Sequence, residues 1–392
     1  MVVSRYNQPD VQETFYPRKP IRIGILGTQG IPARYGGFET FAEELSTRWA
    51  EDGAFEITVV CPGPRQLGQP ETLGRVRLDY VPEPKVGSFT NVAFDLRCLW
   101  NYRRSFDILY MLGYGAGFAC WLPRLWRTKV WINMDGLEWK RSKWSLPIRA
   151  YLRVMERVST WSANRLIADA EAIRQYYLDT YGPEIACSFI PYGVDHMAPA
   201  GSPPDLLPEG LEPGAYYLVV ARLEPENQVL EIIKGYLRSS VPYPLAVVGG
   251  IQNHNDYVRR LLMFASDRVR FLGGVYDKSL LTALRCHARA YFHGHTVGGT
   301  NPSLLEALAA GRPIIAHDNP FNREVAGNLA TFFQGPASIQ SILDGENYLV
   351  TSLDDRLADC QAWLSRKYTW EGVSLAYKEL AFQEIGRQSG LV

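Results

Sequence analysis

The segment Gly298-Gly299-Thr300-Asn301-Pro302-Ser303-Leu304-Leu305-Glu306-Ala307-Leu308-Ala309-Ala310-Gly311 sets a glycine turn, a helix start and a carboxylate close together. The apolar run Ala288–His293 before it predicts a strand. Two glycines then let backbone N–H groups turn inward, Asn301 is a good N-cap and Pro302 suits the first helical position. The free amides of such a helix start carry roughly half a positive charge, which suits a diphosphate held by Gly298, Gly299, Thr300 and Asn301 without a metal. Glu306 lies one turn further in, where it can accept hydrogen bonds from ribose hydroxyls. The pattern implies a nucleotide-sugar site; the plain alternative is a well-capped helix after an ordinary turn.

Other side chains fit the same chemistry. Arg222 follows the apolar run Tyr216–Val220, where a guanidinium can grip phosphate oxygens in forked geometry and stabilise a departing diphosphate. A surface ion pair with Glu224 or Glu226 is its alternative. His295, in the loop leading to the glycines, is read either as a hydrogen-bond partner of phosphate or sugar, or as structural. Asp135 follows the predicted strand Val130–Asn133 and is read as orienting a sugar or hydroxyl, as a general base, or as a helix cap ahead of Gly136. Asp135, Arg222 and Glu306 are thus the candidate catalytic set. Nearer the start, Gly30, Gly36 and Gly37 are expected to bring backbone close to the diphosphate or to an acceptor sugar. Glu39 either contacts a hydroxyl or stabilises the helix dipole. Asn322 and Glu324 are read as helix caps and are not assigned to catalysis.

The elements that must position these residues fall into two α/β halves. Ile21–Leu26 is apolar apart from Arg22, as a central parallel strand should be, and Gly27-Thr28-Gln29-Gly30-Ile31-Pro32 follows as a loop. Phe38, Phe41, Ala42, Leu45 and Trp49 then recur at helical spacing, between Gly36-Gly37 and Gly53. Further strands are expected at Glu56–Cys61, Val76–Val81, Ile108–Leu112, Val130–Asn133, Arg165–Ala168 and Cys187–Ile190. The connector Asp195–Gly214 holds five prolines and three glycines and reads as a linker. Strands of the second half are expected at Tyr216–Val220, Leu245–Val248, Val269–Leu272, Ala288–His293 and Pro313–Ala316. The organisation expected is an arm over 1–20, a first lobe over 21–200, a linker over 201–214 and a second lobe over 215–367, followed by a helical segment over 368–392.

Composition narrows the class. A chain of 392 residues, 46% apolar and 21% charged with a formal charge of zero, describes a globular protein of two or three domains and speaks against a nucleic-acid binder. The six cysteines lie far apart without metal-ligand spacing, so reduced, mostly interior thiols and a cytoplasmic setting are expected. Residues 1–20 lack the apolar stretch of a signal peptide. The uncharged run Leu109–Leu122 is too short and glycine-rich to span a membrane, and reads as a strand end, a loop and a buried helix start.

Two Rossmann-like lobes on a proline-rich hinge leave a cleft at the carboxyl ends of two parallel sheets, where such folds bind ligands. In this setting the chain resembles GT-B glycosyltransferases of glycosyltransferase family 4, and within it the bacterial rhamnosyltransferases of surface polysaccharides. The resemblance is carried by Gly27–Pro32 with Tyr35–Thr40, Asn133–Trp144, Ile190–Asp195, Ala221–Asn227 and Gly298–Gly311. It extends to Tyr368-Thr369-Trp370-Glu371 and the helical run to about Glu384, similar to the family's last helix, which crosses back onto the first lobe. Two departures stand out. Counting back from Glu306, the family's first glutamate falls at Gly298, and Asn227 stands where the family has a lysine, leaving Arg222 as the clearer diphosphate cation. The resemblance implies transfer of a sugar, rhamnose from dTDP-rhamnose, onto a lipid-linked oligosaccharide, with retention and without a cofactor or metal. A UDP-, GDP- or ADP-sugar donor is the alternative within the family. Outside it stand a silent sugar-binding partner, motivated by Gly298, and a nicotinamide-dependent dehydrogenase. For the last, the first glycine turn has the wrong spacing and the second strand supplies no acid for a ribose.

One stretch suggests where the protein works. From Arg124 to Arg157 nine Lys or Arg stand against three acids, interleaved with Trp126, Trp131, Trp139 and Trp144 and preceded by Trp121. An anionic membrane surface contacting 121–157 is expected, with peripheral attachment on the inner face of the plasma membrane. A solvated helix face over core tryptophans is the alternative.

Overall fold

A computed structural model describes residues 19–33, 36–65, 68–134, 136–141, 143–195, 203–251, 256–346, 348–349 and 352–386. Asp135, a candidate catalytic residue, lies outside them, as do Tyr35, most of the expected N-terminal arm and part of the expected linker.

The first lobe is built on β1 (Ile21–Leu26), β2 (Phe55–Pro62), β3 (Thr72–Leu73), β4 (Val76–Val81), β5 (Ile108–Leu112), β6 (Lys129–Asn133), β7 (Arg165–Ala168) and β8 (Cys187–Phe189). They form one sheet in the order β3-β4-β2-β1-β5-β6-β7-β8, parallel except for the β3–β4 pair. Its helices are α1 (Gly37–Glu51), α2 (Thr90–Tyr102), α3 (Leu146–Ser162) and α4 (Glu171–Tyr181). The second lobe carries β9 (Tyr217–Val220), β10 (Leu245–Val248), β11 (Val269–Gly273), β12 (Ala290–His293), β13 (Ile314–His317) and β14 (Thr331–Phe333), all parallel in the order β11-β10-β9-β12-β13-β14. Around it lie α5 (Val229–Arg238), α6 (Asp256–Leu262), α7 (Lys278–His287), α8 (Pro302–Ala309), α9 (Pro320–Ala326), α10 (Pro336–Asp344) and α11 (Leu353–Ser365).

Burial explains the strand composition. Helices cover both faces of each sheet, so central strands such as β5 and β10 bury every residue and read as continuous apolar runs. The two-residue β3 and the three-residue β14 are edge strands too short for any periodic signal, and the sequence did not predict them. The run Leu109–Leu122 leaves β5 at Leu112 and continues into short 3-10 turns at Gly117–Ala119 and Pro123–Trp126 rather than a helix.

The helix α12 (Trp370–Gly386) follows the second lobe but packs on the first. Tyr377 is fully buried, its hydroxyl 2.7 Å from that of Tyr110 on β5, and its ring meets Phe41, Trp49 and Trp131. Polar ties flank this contact: Lys378 to Asp52 at 3.0 Å, and Arg165 to Glu384 at 2.6 Å. One apolar cluster therefore runs from β1 and α1 through Tyr377 and Trp370 into α8 and β13. All six cysteines are buried and none forms a disulfide. Among the described residues, no helix is long and apolar enough to cross a membrane.

Candidate active site

Sheet order decides where the site can form. In the second lobe β9 lies between β10 and β12, so the chain leaves β9 to one side and β12 to the other, opening a crevice at their carboxyl ends. Arg222 stands just beyond β9, and the segment from His295 to Asn301 just beyond β12. Asn301 accepts the amide of Ser303 at 3.0 Å and Pro302 opens α8, as the residue types demand. The helix start is fixed to the sheet: the Ser303 hydroxyl lies 2.6 Å from that of Tyr291 and donates to the Val220 carbonyl at 3.2 Å.

Glu306 sits on α8 with its side chain about one-third exposed, ion-paired with Arg285 of α7. Arg285 is 95% buried by side chain, so it holds the carboxylate from the interior side while part of Glu306 stays exposed. Sequence reasoning missed Arg285, because it comes from a different helix and no local spacing marks the pair.

The cations converge from both lobes. Arg222 is the more exposed, with Nη2 3.7 Å from Glu224, while its carbonyl accepts from Asn227 at 2.7 Å. Arg141, buried and paired with Glu138, belongs to the first lobe. Both guanidiniums act on His295: burial above all, then His293, Arg222 and Arg141, hold its imidazole well below the usual histidine range. A place where two arginines from opposite lobes meet a neutral imidazole suits an anionic ligand. Arg141 is a further residue that the sequence did not single out.

His295 stacks on His293 with ring centroids 4.3 Å apart, and the carbonyl of His295 accepts from Asn319 at 2.9 Å and Asn322 at 3.0 Å. Asn319 is the cap of α9, so Asn322 braces the His295 loop rather than capping a helix. Burial pushes His293 down to about 3 and lowers His317 as well. An unfolded chain binds a proton on the His293 imidazole below about pH 6.5, whereas folded His293 stays neutral down to about pH 3. Its contribution to stability is therefore complete above about pH 6.5 and lost as pH falls toward 3. His293 alone is expected to add a slope of about 1.4 kcal/mol per pH unit in that window. Thermal unfolding at pH 7.5 and 5.5 measures it; an equal fall in His293→Phe would sink the assignment.

In the first lobe the loop after β1 is held from within. The Glu39 carboxylate, buried, accepts the Gln29 amide at 2.8 Å, and the Thr28 hydroxyl accepts the Gly30 amide at 2.7 Å. A Cβ on Gly30 would come within 3.0 Å of Cys61 Sγ, and one on Gly36 would overlap the Glu39 carboxylate, both at positive φ. Gly30 and Gly36 thus answer to this internal packing, while Gly37 faces open space. Glu39 acts neither as an open hydroxyl ligand nor only through the dipole: it is the strut of the loop.

The glycine cradle also meets the first lobe. A Cβ on Gly136 would lie 2.8 Å from Gly298 Cα, and Gly299 abuts the buried carboxylate of Asp169, just beyond β7. The Thr300 hydroxyl donates to the Asp169 carbonyl. Thr300 is 2% exposed, so its side chain serves the contact between lobes and not a ligand. Glu324 makes a second tie, accepting the amides of Glu171 at 2.9 Å and Ala172 at 3.1 Å at the start of α4, and Lys367 at 3.2 Å. Its role as a cap is real, but the helix it caps belongs to the opposite lobe.

Two parallel α/β lobes meeting across a crevice define the GT-B fold, and that crevice holds a helix start, arginines from both lobes and the partly exposed carboxylate of Glu306. Comparison with known proteins agrees at that level. The chain matches the family described as glycosyl transferases group 1 over residues 209–358, and a domain of unknown function, DUF1972, over residues 21–195. No curated protein sequence matches it. Sucrose-phosphate synthase from Thermosynechococcus elongatus shares its fold at a TM-score of 0.74 and 17% identity, covering 94% of this chain and 100% of that one. HepE from Anabaena, solved with UDP and glucose, is similar at a TM-score of 0.72 and 15% identity, with 92% and 99% coverage. The α,α-trehalose 6-phosphate synthase from Burkholderia multivorans follows at 0.70 and 13%, with 95% and 98% coverage.

Proposed function

We propose that the protein is a family 4 glycosyltransferase that moves a sugar from a nucleoside-diphosphate donor, dTDP-L-rhamnose, onto a lipid-linked oligosaccharide at the inner face of the plasma membrane. One observation carries the reading: Arg222 and Arg141 converge from the two lobes beside the helix start that follows β12, with Glu306 one turn inside it. The crevice of the second lobe takes the donor and the first lobe the acceptor. Amides of Gly298 and Gly299 meet the diphosphate, Arg222 stabilises its charge as it leaves, and Glu306 accepts from the ribose. The acceptor hydroxyl then attacks C1 on the face the diphosphate departs from, so the C1–O bond to phosphate breaks as the new one forms. The hydroxyl proton passes to the leaving phosphate oxygen. Asp135 orients the donor sugar or that hydroxyl. Arginines and helix start supply the countercharge, so no metal is called for.

A screen by thermal shift and calorimetry against dTDP, UDP, GDP, ADP and NADH, with and without EDTA, tests the reading. Selective dTDP binding followed by turnover of dTDP-rhamnose supports it. HepE was solved with UDP-glucose, and preference for UDP would keep the transferase and change its donor. Binding of NADH alone would overturn the transferase reading. Within the same assay, Glu306→Ala is expected to weaken the favoured nucleotide by about 1–3 kcal/mol, the worth of a charged hydrogen bond to ribose. Unchanged affinity in a folded variant would remove Glu306 from the donor site.

A further inference from the structure

Exposed apolar side chains are spread unevenly over this molecule. Among the described residues, nine of the fifteen large ones facing solvent fall between Val86 and Trp161, so the first lobe carries most of this surface. Of the tryptophans that make the 121–157 stretch look aromatic in sequence, Trp121 lies there but Trp131, Trp139 and Trp144 do not. Trp131 is fully buried, and the indole N–H groups of Trp139 and Trp144 donate inward to Glu156 at 2.7 Å and Glu138 at 3.1 Å.

The exposed set is built differently. On α3, Leu146, Ala150, Val154, Arg157 and Trp161 recur at steps of four, four, three and four, a single outward stripe, while Met155 and Ser159 face the interior. Trp121 and Leu125 lie beside the end of that stripe, because Arg124 between them donates to the carbonyls of Trp161 at 2.7 Å and Ser162 at 2.9 Å. Trp100 at the end of α2 adjoins them through Arg103, whose guanidinium covers its ring at 4.3 Å and that of Trp126 at 5.4 Å. One continuous face results, of a kind that marks an interaction site.

Among the described residues from 84 to 163, the exposed charges are basic. Arg97, Arg104, Arg124, Arg127, Lys140 and Arg157 are exposed. From 84 to 163 no carboxylate among the described residues is exposed: Glu156 is buried, Asp95 is drawn inward, Asp107 is paired with Arg22, and Glu138 with Arg141. An apolar face flanked by exposed bases complements an anionic partner. Tryptophan and arginine at its rim suit the headgroup layer of a bilayer, where amphipathic rings settle and long basic side chains reach the phosphates.

We infer that the outer face of α3, with Trp121, Leu125 and Trp100 beside it, is a docking surface for a bilayer of anionic phospholipid. It deepens the reading under which the acceptor is lipid-linked and rests on it for its purpose. The stripe runs about 22 Å along α3, at about 1.5 Å per residue. It reaches from the base of the lobe to Leu146, close to Lys143, which stands 4.0 Å from Glu224 across the cleft. A protein lying on this face presents its cleft sideways at the level of the bilayer.

The test uses the full chain and sedimentation with vesicles, without donor or acceptor. Binding is expected to vesicles of phosphatidylglycerol mixed with phosphatidylcholine, to be released by salt, and to be absent with phosphatidylcholine alone. Trp121→Ser with Trp161→Ser, and separately Arg104→Glu with Arg157→Glu, are each expected to weaken it roughly tenfold or more. Met263→Ser, on the second lobe, leaves it unchanged. Equal binding to both vesicles, no binding, or binding indifferent to both variant pairs would overturn the proposal. So would reversible dimers that Trp161→Ser abolishes, which would assign the face to a second copy. Nucleotide binding and turnover of a water-soluble acceptor are read separately, so either reading can fail while the other stands.

Discussion

Arg222→Ala is expected to lower kcat by about a hundredfold to a thousandfold, the loss seen when a preorganised group aimed at developing charge is removed. The guanidinium stands at the end of β9, where the backbone is fixed by the sheet and by Asn227, and Glu224 at 3.7 Å steers it without saturating its donors. If Arg222 stabilises the departing diphosphate as proposed, KM for the donor should move less than kcat. Arg222→Lys keeps the charge but loses the fork, and an intermediate rate is expected. A steady-state comparison of the three proteins checks this. An alanine variant that folds and keeps its kcat would return Arg222 to the status of a surface ion-pair partner of Glu224.

The second large effect concerns stability. Tyr377→Ala removes a fully buried ring from among Phe41, Trp49, Tyr110 and Trp131, and is expected to destabilise the protein by about 3–5 kcal/mol through the cavity left behind. Tyr377→Phe keeps the ring and loses only the hydroxyl contact with Tyr110, which retains the amide of Asn133 at 3.1 Å; a loss of about 1 kcal/mol is expected. Denaturant unfolding of both variants makes the measurement. Equal effects would mean that the hydroxyl pair, and not ring packing, holds α12 to the first lobe.

What the sequence made legible follows from burial. Central strands enclosed on both faces must be apolar throughout, so β1, β5, β7 and β10 show themselves as runs bounded by turn residues. The start of α8 was equally legible, since an Asn cap and a Pro after it have purely local causes. Arg285, Arg141, Asp169 and Glu324 were not, because each matters through a neighbour brought near by topology alone: Arg285 lies on another helix from Glu306, and Glu324 caps a helix more than 150 positions earlier. The tryptophans mislead for a related reason. A periodic or interleaved aromatic does not say which way it points, and Trp131 sits on a strand whose neighbours β5 and β7 enclose it, whereas Trp161 closes the outward stripe of α3.

The placement of α12 has a consequence for the life of the chain before it is fully folded. Trp49 and Tyr110 emerge during synthesis long before residue 370, and the helix that covers them arrives some 180 residues after β8 is complete. At typical elongation rates that interval lasts about 10–40 s. Through it the nascent first lobe carries an open aromatic floor, which only the late-made helix can roof, and a chaperone that guards this half on the ribosome would have to let go on its arrival.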